Sequence, residues 1–147
     1  MSDARAFTIA AADWQADGDA LRHVRRVVFI DEQRVPEDLE WDAEDARSVH
    51  ALARGPDDTP VGCGRLLRDG HIGRMAVLAD WRGRGVGDAL LAWLMAAARA
   101  RGDAAILLNA QVQAMPFYAR HGFAPVGEVT KKKESPFPSV FSSLSTE

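Results

Sequence analysis

The chain has 147 residues, 47% hydrophobic and 27% charged, with a formal net charge of −3 and 1 cysteine. That length suits one hydrophobic core burying roughly two thirds of the unfolded chain's surface, so residues 1–147 read as a single domain. The charge gives no basis for a nucleic-acid surface, the apolar runs fall short of the ~20 residues of a membrane span, and a lone cysteine excludes an internal disulfide.

The amino terminus, MSDARAFTIAAADW, lacks a basic-then-apolar signal pattern, which predicts a cytoplasmic protein. Phe7 to Ala11 reads as a first strand, and Asp17 to Val28 as a helix with Leu21, Val24, Val27 and Val28 on one side. Between Asp31 and Asp45 the acids Asp31, Glu32, Glu37, Asp38, Glu40, Asp42, Glu44 and Asp45 accompany only Arg34. Such a run is either a solvated face or a field that draws a cationic amine and receives its proton. Val49 to Arg54 and Val61 to Arg68 are predicted strands joined by GPDDTP, and Arg68-Asp69-Gly70 turns the second into a strand from His71 to Leu78. The three form an antiparallel meander. Cys63, in VGCGRLL, has no activating partner identifiable in sequence and reads as a small packed residue. His23, His50, His71 and His121 lie far apart without metal-ligand spacing, so no metal is expected.

The segment Arg74 to Gly102 joins an apolar strand, a Gly/Arg loop and a long helix. After Met75 to Ala79 come Arg82, Gly83, Arg84, Gly85, Val86 and Gly87, and then Val86, Leu90, Trp93, Leu94 and Ala97 share one helix face. The first N–H groups of a helix have no internal partner and carry the positive end of its dipole, so they receive anions. Glycines let a diphosphate approach that backbone, and Arg82 and Arg84 add charge. A dinucleotide fingerprint needs GxGxxG after an early strand and a P-loop ends in GK[ST]; neither pattern is present. Arg99 and Arg101 followed by Gly102 signal the helix end. A strand from Ala104 to Asn109 follows, parallel to the one before the loop through a right-handed crossover. Splayed carboxyl ends of these two strands would admit a ligand.

This strand–loop–helix, with RGRGVG matching [Q/R]xxGx[G/A] at Arg82, Gly85 and Gly87, resembles the acetyl-CoA signature of the GNAT superfamily of N-acetyltransferases. AMPFYARHGF, Ala114 to Phe123, resembles the family's later block through Tyr118, Gly122 and Phe123, and VVFIDEQRVPEDLEWDAEDA, Val27 to Ala46, is similar to the ElaA-like bacterial subgroup. The resemblance implies a mixed α/β (α+β) sheet of six or seven strands with helices on both faces, and acetyl-CoA as co-substrate. It places pantetheine along Met75, Ala76 and Val77 and the diphosphate at Arg82, Gly83, Arg84, Gly85, Val86 and Gly87. Asn109 would bond the pantetheine amide or simply end its strand. Phe117 would pack against pantetheine or against the core. Tyr118, the sole tyrosine, would protonate the departing thiolate, its alternative being a core aromatic.

Two departures from the family pattern matter. Where many members carry a carboxylate on the fourth strand this chain has Arg74, so the base is sought among Glu32 and Glu40, with His50 behind them. Residues 129–147 shift to lysine, proline and serine, leaving a final strand at Ser139 to Leu144 or a polar tail. Two functions follow: an acetyl-CoA-dependent N-acetyltransferase acting on a small or peptide amine, or a CoA-binding interaction or sensor module with little transfer activity. A homodimer stays open as an assembly state.

Overall fold

Strands β2 (Val49–Arg54) and β3 (Pro60–Leu66) are buried along nearly their whole length, as strands covered on both faces are. They lie at the centre of an antiparallel sheet ordered β1 (Thr8–Ala12), β2, β3, β4 (Ile72–Val77). The computed structural model describes residues 6–126 and 139–146. On one side of this sheet helix α3 (Val86–Arg101) packs Val86, Leu90 and Leu94 against Ala51, Ala53 and Leu66. On the other, α1 (Gly18–Arg25) sets Leu21 and Val24 against Leu52, Cys63 and Ala76. The alternation of the sheet residues between the two clusters is the period-2 rule of a strand. No helix of the described residues is long and apolar enough to cross a membrane.

The predicted helix over Asp17 to Val28 is found, but it changes character. After Arg25 the chain widens into a π-helical stretch, Arg26–Glu32, with Gln33 N–H donating to Val28 C=O at 3.1 Å. The run RVVFI is rich in β-branched residues that fit an α-helix poorly. A short helix α2 (Glu37–Glu40) follows within the acidic segment.

β4 carries one extra residue. Cys63 pairs with Ala76 but Arg65 pairs with Gly73, so Arg74 and Met75 together oppose Gly64. Arg74 takes the left-handed conformation, φ 52°. Gly64 makes room for the bulge: a Cβ there would stand 2.6 Å from Met75 Sδ and 2.7 Å from Leu94 Cδ1. Bulges bend their strand and are frequent beside functional sites.

Beyond it β4 stays paired with β3 through Ala76 and Val77. The expected single mixed sheet is divided: the described residues form seven strands, but β5 (Ala105–Gln111), β7 (Ser139–Ser145) and β6 (Ala124–Pro125) make a second antiparallel sheet ordered β5-β7-β6. The expected parallel contact survives as one bridge, His71 to Leu107, with Leu107 N–H donating to Gly70 C=O at 3.0 Å. From there the strands diverge toward their carboxyl ends, the splay expected to admit a ligand. The run from Ser139 is a strand rather than a tail, paired with β5 from Gln111 to Ala105. The stretch 129–138 of the atypical segment lies outside the described residues.

Candidate active site

The gap between β4 and β5 is a cavity of about 440 Å³. Its floor includes Met75 of β4 and Asn109 and Gln111 of β5; the π-helical turn contributes Phe29 and Gln33, and α4 (Met115–Arg120) contributes Tyr118. Among the described residues no strand pairs with the outer edge of β4 after His71. The outer edge of β4 is thereby left without a strand partner, and Ile72, Gly73, Arg74 and Met75 line the gap.

From Val77 the chain passes through the glycine loop into α3. Gly83 and Gly85 have φ 76° and 85°, and a Cβ at either would meet nothing within 4 Å. These glycines are required by backbone conformation, and they leave the space outside the loop empty. Gly85 is the residue before the helix, and the first intrahelical bond runs from Ala89 N–H to Gly85 C=O at 3.0 Å. Helix geometry leaves the N–H groups of Val86, Gly87 and Asp88 without an intrahelical acceptor. Phe117 packs on this turn, 3.5 Å from a Cβ placed at Gly87. Arg84 lies over the Trp81 ring at 4.9 Å. Arg82 is engaged twice: its Nε donates to Val77 C=O at 2.9 Å and its Nη2 to both Glu32 carboxylate oxygens at 2.9 Å.

Tyr118 is half-buried, its ring edge-on to Phe117 at 5.0 Å and to Phe123 at 6.2 Å. Burial pushes its phenol up to about 12, so the hydroxyl stays protonated at neutral pH and can donate. Asn109 is exposed within the strand instead of ending it, since β5 continues to Gln111. Gln111 Nε2 donates to Gln33 Oε1 at 3.0 Å, tying β5 to the π-helical turn across the cavity.

The far wall is a cluster of charges. Arg25, 1% exposed, donates from Nε to Glu40 Oε2 at 2.8 Å and from Nη1 to Asp45 Oδ1 at 2.6 Å. Arg65 reaches Asp45 Oδ1 at 2.8 Å and Asp42 Oδ1 at 2.7 Å. Arg74 Nε lies 3.3 Å from Glu40 Oε2. Glu40, Asp42, Arg65 and Arg74 all line the cavity. Burial raises the Glu40 carboxyl above the ordinary carboxylate range, with Arg74 and Arg25 pulling it back only in part. Burial acts on Asp45 in the same sense, but its hydrogen bond from Arg25 and that charge outweigh it, so Asp45 is lowered. The Arg65 hydrogen bond lowers Asp42. Glu40 is thus the carboxyl of the cluster with the raised proton affinity, beside carboxyls whose affinity is lowered.

Of the acids singled out in sequence, Glu40 is therefore in the cavity wall and Glu32 is beside the loop on Arg82. His50 stands behind the cluster, stacked on Trp14 at 5.3 Å with Nε2 2.7 Å from Asp45 C=O, and burial lowers it toward the neutral form. Cys63 is buried and its thiol is pushed up to about 12 by burial, which keeps it protonated. Sequence reasoning missed Arg25 and Arg65. Their signal was present: Arg25 follows Leu21 by one helical turn on the inward stripe, and Arg65 sits at an alternating inward position of VGCGRLL. Charges at such positions need buried partners. Among the described residues no group of three or more His, Cys, Asp or Glu is placed to hold a metal ion.

Comparison with known proteins bears on the family and the fold. The chain is 38% identical over 109 residues to the uncharacterized N-acetyltransferase YjcF of Bacillus subtilis, covering 72% of this chain and 77% of that protein. The crystal structure of Escherichia coli ElaA superposes with a TM-score of 0.81 at 26% identity, covering 94% of this chain and 99% of that one. Arabidopsis thaliana Naa50 in complex with the bisubstrate analogue CoA-Ac-MVNAL shares the fold, with a TM-score of 0.74 at 21% identity over 95% of this chain and 98% of that one. The acetyltransferase (GNAT) domain model matches residues 18–138, from the start of α1 through the glycine loop and Tyr118, and the chain belongs to that family of N-acetyltransferases.

Proposed function

We propose that the protein moves an acetyl group directly from acetyl-CoA to a primary amine. The observation that carries this reading is the outer edge of β4, unpaired by any described strand after His71 and joined through the short 3-10 turn Ala79–Trp81 to the loop Arg82 to Gly87 and the free N–H groups of α3. An extended amide-bearing chain adds to such an edge as a strand would, and a diphosphate suits the helix start that follows it. Met75, Ala76 and Val77 would hold pantetheine, with Asn109 opposite. Arg82, Gly83, Arg84, Gly85, Val86 and Gly87 would hold the diphosphate, with Phe117 packed beneath the turn.

The residues of the cavity then divide the proton transfers. An alkylamine near pKa ~10.4 must lose a proton before it attacks. Glu40, its carboxyl raised by burial, takes that proton directly or through water. The thiolate that leaves has a conjugate acid near ~8.5, and Tyr118 supplies a proton from a phenol that burial keeps neutral. Glu32 contributes to the acidic field at the entrance and holds Arg82 until a diphosphate competes for it. Incubation with acetyl-CoA and a panel of amines, followed by free thiol, tests the reading. Amine-dependent CoA release supports it, and tight CoA binding with no release from any amine identifies a CoA-sensing module instead.

A further inference from the structure

The cavity wall holds arginines as well as carboxylates, and two of them have unused bonding capacity. Arg65 is 6% exposed and lines the cavity; Asp42 and Asp45 take its Nη atoms, but its buried Nε has no hydrogen-bond partner among the described residues. A buried donor left unpaired is costly, and native structures rarely keep one without a use. Arg74 is held only loosely. Its Nε and Nη2 reach Glu40 C=O at 3.4 and 3.3 Å, and Nη2 reaches Leu39 C=O and Asp42 Oδ2 at 3.4 Å. All are beyond the usual range of 2.7–3.2 Å or so for N–H···O bonds. The left-handed backbone of Arg74, φ 52°, fixes where this guanidinium leaves β4, directly before the strand segment assigned to pantetheine.

We propose that the acceptor is an α-amino acid, whose carboxylate is received by Arg74, with the Arg65 guanidinium behind it, while its amine meets Glu40. This rests on the transferase reading above. A simple cationic amine would use none of this donor capacity. The cluster balances Arg25, Arg65 and Arg74 against Glu40, Asp42 and Asp45, so it exerts little net pull on a cation. A carboxylate offers Arg74 closer acceptors than its present contacts at 3.3–3.4 Å, and guanidinium–carboxylate bonds are strong where water is excluded. Phe29, Val35, Ile72 and Met75 give the same cavity an apolar side, which suits an aliphatic side chain. In the reaction the C–N bond forms, the C–S bond breaks, Glu40 takes the amine proton and the thiolate gains one from Tyr118. The products are an N-acetyl amino acid and CoA, and the carboxylate is unchanged.

Leucine, leucinamide and isopentylamine form a matched set for the test, compared by thiol release with acetyl-CoA. In parallel, calorimetry measures N-acetyl-leucine and N-acetyl-leucinamide binding to the CoA-saturated protein. Leucine should exceed both analogues by at least about tenfold in kcat/KM, about 1.4 kcal/mol of discrimination, and N-acetyl-leucine alone should bind. Arg74→Gln should erase the leucine-over-leucinamide ratio, and Arg74→Lys should restore part of it. Equal or better use of leucinamide or isopentylamine by the native protein overturns the inference. So does a ratio that persists in Arg74→Gln. Selective binding of N-acetyl-leucine with no thiol release from any of the three amines supports the carboxylate site and overturns only the transferase reading.

Discussion

Between Met75 and Gly87 the candidate site is made of backbone: an open strand edge, two glycines with positive φ and a helix start. Around Glu40 it is made of side chains that converge from α1, α2, β3 and β4 and from the turn at Asp45. A site of the first kind depends on local conformation, and most side-chain changes nearby leave its donors in place. A site of the second kind depends on mutual neutralisation in a buried place, where removing one partner strands the others. The cofactor end should thus lose function without losing the fold, and the acceptor end should lose both together.

The largest effect expected from this contrast is on stability. Arg25→Met leaves the Glu40 and Asp45 carboxylates buried with a main partner gone, which should cost about 3–5 kcal/mol. Chemical denaturation measures it, and a change within 1 kcal/mol or so of the native value would mean that the cluster is already well hydrated.

At the junction of the two ends, Tyr118→Phe removes only a hydroxyl and should lower turnover by about 10²- to 10⁴-fold while leaving acetyl-CoA affinity nearly unchanged. Ultraviolet titration of the native protein offers an independent check, because this is the only tyrosine. Its phenol should resist ionisation through the ordinary value of 10.0 and titrate at about 12. The acid form is the donor, so this group should impose no loss of activity near its ordinary value.

Gly85→Val tests the backbone end. A β-branched residue at φ 85° carries strain of about 1–3 kcal/mol and places methyl groups where the diphosphate would sit. We expect acetyl-CoA binding to be lost in a protein that still unfolds cooperatively; unchanged calorimetric affinity would place the diphosphate elsewhere.

The smallest effect should come from Glu32→Gln, which frees Arg82 from a half-exposed ion pair. Such pairs contribute at most about 1 kcal/mol, so CoA affinity should rise by up to about fivefold. A fall in affinity would show that Glu32 positions Arg82 for the diphosphate instead of competing with it.

How far each end could be read from sequence follows the same division. The start of α3 at Val86 and its stop at Gly102 were legible because glycine and helical periodicity act locally, and β2 was legible from Val49 to Arg54 for the same reason. The parallel direction of β5 relative to β4 followed from the crossover. The bulge at Arg74 was not legible, because a one-residue excess is fixed by what lies across the strand, here the space over Gly64. Nor was the division into two sheets, since the single bridge from His71 to Leu107 depends on how distant strands meet. The charge cluster joins residues 15 to 34 positions apart, and no short pattern records which arginine meets which acid. Glu40 was found through a likeness of segments, while its partners Arg25 and Arg65 were not.

The placement of β7 between β5 and β6 has a consequence for biosynthesis. Ala105 pairs with Ser145 and Gln111 with Ser139, so β5 has no antiparallel neighbour until residues 139–145 have left the ribosome. The four-stranded sheet and both of its covering helices are complete in the chain well before that point. A nascent protein would therefore hold one finished layer beside a bare strand edge, the kind of surface that invites pairing with other chains. Chaperone dependence and aggregation of this protein should be decided during that interval, by how quickly the late strand arrives and closes the second sheet.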